Sequence, residues 1–212
     1  MTGTPVGAED APSPPVAAGW FGKIPALGDF ASRRLPPHFI EAWDHWLSTE
    51  LSDARDALGA DWPPSYPETP LWRFVLTPGL LDGRYWFGIL MPSADRVGRR
   101  FPLSVAASAD QAFVGLHDWW SELARAALKS REPGCDAEVL DRAVLAAGIL
   151  SVQGAEPMHV ATGLSADLAT TARGTSLWGV CSGDDPATTA AWAVSGLPRG
   201  ENFRRLWQPA RA

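Results

Sequence analysis

The chain has 212 residues, and its 18 basic against 24 acidic side chains give a formal net charge of −6 at pH 7. This balance argues against a general nucleic-acid-binding protein, which needs a basic face to displace the counterions of phosphates, and against a polybasic membrane anchor. The hydrophobic fraction of 46% and the charged fraction of 20% are typical of a globular domain.

Residues 1–18 form a predicted disordered tail, because four prolines interrupt a stretch of small residues that has no hydrophobic period. We expect a single domain over residues 19–212.

The N-terminus lacks the basic region and the apolar core of a secretory signal. The longest uncharged apolar stretch, residues 143–155, is too short to span a bilayer. The sequence therefore predicts a cytoplasmic protein without membrane insertion.

The first elements of the domain are a strand, a turn and a long helix. The apolar run 20–24 predicts the strand, and Pro25, Gly28 and Asp29 then mark a turn. The helix begins at the proline pair 36–37, since proline is tolerated at the first helical position. Apolar residues then recur every three to four positions until Gly59, which is predicted to end the helix.

A proline-rich segment, residues 62–70, separates this helix from a group of strands and is predicted to be an ordered loop held by aromatic side chains. Three strands follow, at 71–77, 85–91 and 101–107. Their short connections favour an antiparallel meander.

The C-terminal half, residues 108–212, begins with two predicted helices, at 112–129 and 137–147. The remaining predicted elements are a strand at 176–181, a short helix that follows Pro186 and extends through Ala193, and a last helix around 203–207. The whole pattern predicts an α/β (α+β) fold, in which a mainly antiparallel mixed sheet is flanked by helices.

Eleven tryptophans against two tyrosines are the unusual feature of the composition. Most of the five between residues 43 and 86 lie on the apolar stripe of the first helix or in predicted strands, which favours the core over a stacking surface for bases or sugars. These five are Trp43, Trp46, Trp62, Trp72 and Trp86. The adjacent pair Trp119 and Trp120 cannot point in one direction on a helix. We therefore expect one of them near the surface.

Standard catalytic signatures are absent from the sequence, which has no phosphate-binding P-loop, no G-x-S-x-G and no HExxH. His38, Glu41 and His45 have helical spacing that a metal site can use, but a solvated helix face is the favoured interpretation. Cys135 and Cys181 lack metal-ligand spacing and are interpreted as thiols.

The segment 95–100 concentrates three arginines and one aspartate in six residues of an acidic protein. One interpretation is structural: Asp95 and Arg96 pair with neighbours, and Gly98 supplies an unusual backbone angle. The other is an exposed loop whose arginines bind carboxylate or phosphate groups of a partner. The spacing alone favours neither interpretation.

Several motifs occur in a fixed order between residues 19 and 107. They are GKIPALGDF (22–30), RLP (34–36), F…WDHWL (39–47), WRF (72–74) with PG (78–79), GILMPS (88–93), DRVGR (95–99) and FPL (101–103). Together they resemble the signature of the TagF/ImpM family of type VI secretion-associated proteins.

The resemblance implies a non-enzymatic accessory protein that acts after translation to restrain assembly or firing of the secretion apparatus. It also implies binding to the forkhead-associated (FHA) scaffold protein of that system. From the resemblance, together with the charge balance and the residue spacing above, we expect no cofactor, no metal and no nucleic-acid partner. The candidate contact residues are Lys23, Asp29, Arg34, Ser93, Asp95, Arg96 and Arg99.

Two alternatives remain open beside the regulatory protein. One is a ligand-binding or hydrolytic module that uses a polar cleft around Asp29, Ser93, Asp95 and Arg96. The other is a purely structural subunit of the secretion machine, which is expected to co-purify with that machine at fixed stoichiometry.

Overall fold

The chain folds around a seven-stranded sheet, which a computed structural model describes over residues 16–59, 62, 66–112, 116–150, 171–181 and 192–207. The strands are β1 (Val16–Ala17), β2 (Gly19–Gly22), β3 (Ala31–Arg33), β4 (Trp72–Leu76), β5 (Tyr85–Met91), β6 (Leu103–Ala109), β7 (Ile149–Leu150), β8 (Thr175–Val180) and β9 (Trp192–Ser195). The helices are α1 (Pro37–Leu58), α2 (His117–Lys129), α3 (Ala137–Ala146) and α4 (Glu201–Arg205), and a 3-10 turn covers Tyr66–Glu68.

The strand order in the large sheet is β3-β2-β6-β5-β4-β8-β9, and every neighbouring pair of these strands is antiparallel. The predicted meander is confirmed as β4-β5-β6. Strands β1 and β7 form a separate two-stranded sheet. The predicted fold class, a mainly antiparallel sheet flanked by helices, is therefore confirmed.

Helices cover both faces of the sheet, and the alternation of side chains along a strand sends neighbours into different cores. Along β4, Phe74 packs in the core beneath α1, whereas Val75 packs in the core beneath α2 and α3. Because both faces are covered, all five residues of β4 and all seven of β6 are buried.

The long helix α1 confirms the prediction at both ends. Pro37 is its first residue, and Gly59 ends it with a positive φ of 52°. The five tryptophans predicted for the core are all buried, with exposed fractions of 6% or less. Of the adjacent pair, Trp120 is 4% exposed and Trp119 is half-buried, as expected from their different directions on α2.

Several bounds shift by a few residues, and two predicted segments adopt a different structure from the one expected. Residues 16–18, assigned to the disordered tail, are structured: Val16 pairs with Leu150 and Ala18 is fully buried. Residues 1–15 lie outside the described residues.

Ala193, predicted to end a helix, lies in the strand β9. Trp192 and Val194 are half-buried while Ala193 and Ser195 are exposed, which is the two-residue period of a strand and not the period of a helix. The remainder of that predicted helix lies outside the described residues. No helix within the described ranges is long and apolar enough to cross a membrane.

Candidate functional site

Two loops meet at one end of the sheet and carry most of the predicted contact residues. Strands β2 and β5 flank β6, and both are antiparallel to it. They therefore run in the same direction, and their last residues, Gly22 and Met91, both pair with Leu103. The loops that follow, residues 23–30 and 92–101, leave the sheet side by side. We call these two loops together the tip.

Hydrogen bonds to backbone carbonyl groups join the two loops of the tip directly. The Arg96 amide donates a hydrogen bond of 2.8 Å to the carbonyl oxygen of Leu27, and the Arg99 guanidinium donates one to the carbonyl oxygen of Gly28. Gly98 adopts a φ of 84°, and its amide donates to the carbonyl oxygen of Asp95 at 2.9 Å. That tight turn needs the left-handed region that glycine tolerates.

The Asp95 carboxylate lies at the centre of the tip, and its side chain is fully buried. It accepts hydrogen bonds from Lys23 Nζ at 3.0 Å and from Arg99 Nε at 2.6 Å. The amides of Val97 and Arg99 donate to its second oxygen at 3.1 and 2.9 Å. Burial alone raises the pKa of a carboxyl group, but these hydrogen bonds outweigh burial and hold the pKa of Asp95 well below its usual range.

Aromatic packing supports the same loops. The Phe30 ring stacks on Phe21 at 5.7 Å between centroids and meets the edge of Phe101 at 4.7 Å. The ammonium group of Lys23 lies 4.9 Å from the centroid of the Phe30 ring. Because Lys23 also pairs with Asp95, one buried cation links the aromatic cluster to the arginine-rich loop.

Ser93 lies in the tip but takes no part in the Asp95 network. Its amide donates to the Tyr66 hydroxyl at 3.2 Å, and its carbonyl oxygen accepts from the amide of Phe101 at 3.0 Å. The Ser93 hydroxyl is buried and has no hydrogen-bond partner among the described residues. Burial raises the pKa of Tyr66, which keeps its phenol neutral.

Arg34 lies apart from the other candidates, because β3 returns antiparallel to β2 and ends at the opposite end of the sheet. Its guanidinium binds both carboxylate oxygens of Asp141 at 2.7 and 2.8 Å, and its Nε donates to the carbonyl oxygen of Ala18 at 2.9 Å. Burial opposes the charge of Asp141, but hydrogen bonds from Arg34 and Trp20 lower the pKa of this carboxyl group. Arg34 therefore joins three structural elements.

Of the predicted contact residues, only Asp29 and Arg96 have an exposed polar group that is largely available to bind a partner. Asp29 is exposed and accepts one hydrogen bond, from the amide of Phe30 at 2.8 Å. Arg96 is exposed, and its guanidinium makes no hydrogen bond or ion pair with the described residues. Arg99 is exposed over 60% of its side chain but is committed to Asp95 and Gly28.

The polar cleft considered from the sequence combines groups with very different access to solvent. Solvent reaches Asp29 and Arg96, whereas the Ser93 hydroxyl and the Asp95 carboxylate are buried. A depression of about 330 Å³ at the edge of the tip is lined by two of its residues, Pro25 and Ala26, and by residues 130–136, and none of the candidate contact residues lines it.

The described residues contain no group of three or more histidine, cysteine or acidic side chains arranged to hold a metal ion. His38, considered for such a site, instead bonds to Asp82 through its Nε2 atom at 2.9 Å.

Sequence reasoning missed two residues of the tip, Phe30 and Val97. They are 43% and 69% exposed, although their side chains are large and apolar. A bulky apolar residue within each of two polar turns is the signal that marks them.

Residues 19–147 match the model of a protein family described as the TagF N-terminal domain, type VI secretion system-associated. Among solved structures, the chain is similar to the crystal structure of PA0076 from Pseudomonas aeruginosa PAO1. The two share 32% sequence identity and a TM-score of 0.73, and the similarity covers 92% of this chain and 96% of that one. A search of curated proteins found no match.

Proposed function

This chain belongs to the TagF family of type VI secretion system-associated proteins, and we propose that it is a non-enzymatic regulator of such a system. It acts in the cytoplasm after translation, and it restrains assembly or firing of the apparatus by binding the FHA-domain scaffold protein. The family match is the observation that supports this proposal, because it assigns the chain to a group of proteins associated with type VI secretion systems. The match also includes both loops of the tip.

The chemistry of the tip supports a binding role over a catalytic one. A general acid or base works best when its pKa is close to the working pH, and the pKa of Asp95 is far below that range. A serine nucleophile needs a base within hydrogen-bond distance, and the buried Ser93 hydroxyl has none among the described residues.

The candidate contact residues divide into a frame and an exposed part. Lys23, Asp95 and Arg99 form the frame, because their polar groups bond to one another or to the adjoining backbone. Asp29 and Arg96 form the exposed part. The frame fixes the loops before a partner arrives, which lowers the entropic cost of binding.

The experiment combines a secretion assay with affinity capture in the native host. Deleting the gene is expected to increase the amount of the system's secreted proteins in the medium, and the wild-type gene restores the restraint. A tagged full-length chain is expected to capture the scaffold protein, identified by mass spectrometry.

Two results contradict the proposal. Loss of secretion on deletion, together with capture of the whole apparatus at fixed stoichiometry, identifies a structural subunit. If secretion is unchanged and no scaffold protein is captured, both the proposed regulatory role and the proposed partner are wrong. An empty vector in the deletion strain is the matched control for restoration.

A further inference from the structure

Exposed apolar side chains are concentrated at the tip. Within the described residues, four large apolar side chains are exposed: Phe30, Val97, Leu128 and Leu145. The first two lie in the two loops of the tip, one in each. Short contacts connect them, because Lys23 lies against the Phe30 ring and bonds to Asp95, whose other oxygen accepts from the Val97 amide. Large apolar side chains that stay exposed on two adjoining loops are typical of protein interaction sites.

The tip is also basic within an acidic chain. Residues 23–30 and 92–101 contain four basic and two acidic side chains, while the whole chain has a net charge of −6. Asp95 is buried with Lys23 as its counter-ion, so Asp29 is the acidic group that faces solvent. The field at the surface of the tip therefore favours a negatively charged partner.

Arg96 supplies a carboxylate-binding group on a fixed backbone, and this group has no partner among the described residues. Its backbone is fixed by the hydrogen bond to Leu27, and its guanidinium extends over Gly28, where a Cβ atom would lie 3.5 Å from Nη2. No described residue bonds to this guanidinium. A planar guanidinium with all its donors available fits a carboxylate through two parallel hydrogen bonds.

We infer that the tip binds an acidic segment of the scaffold protein in which carboxylate side chains flank an apolar one. Arg96 binds a carboxylate, and Phe30 and Val97 contact the apolar side chain. This inference rests on the proposed function and adds the surface and the partner's chemistry. Arginine is one of the residue types most often found in binding hot spots. Within the tip, Arg96 is the one exposed arginine whose guanidinium makes no bond with the described residues, and on a chain of net charge −6 that is too little for the phosphate backbone of a nucleic acid.

The test measures the dissociation constant of the full-length chain and the purified scaffold protein by titration calorimetry. Arg96→Glu is compared with Arg173→Glu, which makes the same charge change in the turn before β8, at the opposite end of the sheet. Val97→Ser is compared with Leu145→Ser, a second exposed apolar position, on α3.

We expect Arg96→Glu to weaken binding at least about tenfold, since attraction becomes repulsion, and Val97→Ser to weaken it about fivefold. The two control variants bind within about twofold of the wild type. Raising sodium chloride from about 0.05 to 0.5 M weakens the wild type more than Arg96→Glu, because screening acts on the charge that the variant has lost. Melting temperatures of all four variants stay within about 1–2 °C of the wild type, because these side chains are exposed.

Each contrary outcome has a separate meaning. If the wild type binds the scaffold and both tip variants bind equally well, the inference is wrong and the proposed function stands. If the wild type does not bind the scaffold, the proposed partner is wrong and the inference falls with it. If phosphatase treatment of the scaffold abolishes binding, the ligand is a phosphate group, and the acidic segment is ruled out.

Discussion

The substitution Trp43→Ala removes an indole that is fully buried between α1 and the sheet. The ring centroid lies 4.6 Å from that of Trp46 and 5.0 Å from that of Phe74. The indole nitrogen donates to the Ser104 hydroxyl at 2.8 Å, and Ser104 is itself fully buried. The substitution therefore leaves a cavity and also removes the donor of a buried hydrogen bond.

The lost packing and the lost hydrogen bond together determine how far the free energy of unfolding is expected to fall. Truncation of a buried Trp to Ala costs about 3–5 kcal/mol, against about 5–15 kcal/mol for the whole stability of a typical domain. For a chain of this length, each 1 kcal/mol lowers the melting temperature by about 2–4 °C, so we expect a decrease of about 6–20 °C.

Urea unfolding followed by circular dichroism measures the loss without relying on the fluorescence of the residue that is removed. The matched control is Trp119→Ala. Because Trp119 is half-buried, its substitution is expected to lower the free energy of unfolding by about 1–2 kcal/mol. A loss below about 1 kcal/mol for Trp43→Ala refutes the core assignment. A variant that folds normally but no longer binds the scaffold makes Trp43 an interface residue instead.

Two further predictions concern the contacts of residues 16–18 and Arg34. A variant that lacks residues 1–18 is expected to have a melting temperature at least about 3 °C below that of a variant that lacks residues 1–15, because the longer deletion also removes the β1–β7 pairing and the buried Ala18. Equal melting temperatures of the two variants contradict the pairing. Arg34→Ala is expected to cost about 2 kcal/mol in urea unfolding, since it breaks the two bonds to Asp141 and the bond to Ala18; exposed Arg142→Ala, which is expected to cost nothing measurable, is the control.

The elements predicted best from the sequence are those with a strong local period. The helix α1 has an unbroken apolar stripe with a proline at one end and a glycine at the other, and both signals act within a few residues. The strand β5 was predicted at its observed bounds because its uninterrupted apolar run lies between turns.

The short strands were missed because long-range pairing defines them. Strands β1 and β7 have two residues each, and β3 has three, too few for a period to be visible. Val16 pairs with a residue far along the chain, Leu150, and no local propensity encodes that distance. The strand β9 follows an alanine-rich segment, and its four residues are too few to outweigh that helical composition.

The site shows the same division between local and long-range information. The composition of residues 95–100 identified a special loop and left its structural and binding interpretations open, and the structure contains features of both. Asp95 and Arg99 are structural partners, whereas Arg96 is exposed. The pairing of Lys23 with Asp95 was not predictable from spacing, because it depends on β2 and β5 lying on either side of β6.

The pH dependence of stability tests whether the charge on Asp95 holds the tip together. Because the folded pKa of Asp95 is depressed, its contribution is fully present above the ordinary carboxyl pKa of about 3.9 and is lost as the pH falls toward the folded value. Asp95→Asn removes this contribution and leaves the buried Lys23 without its counter-ion.

We expect the melting temperature of Asp95→Asn to be at least about 5 °C below that of the wild type at pH 7, and the gap to narrow as the pH falls from about 5 to about 3. Asp53→Asn, on the exposed face of α1, is the control and is expected to follow the wild type throughout. If the difference in melting temperature between Asp95→Asn and the wild type stays constant with pH, the charge on Asp95 does not stabilise the tip. In that case the shape of the tip depends on hydrogen bonds to Asp95 that a protonated carboxyl group also accepts, and the charge is dispensable.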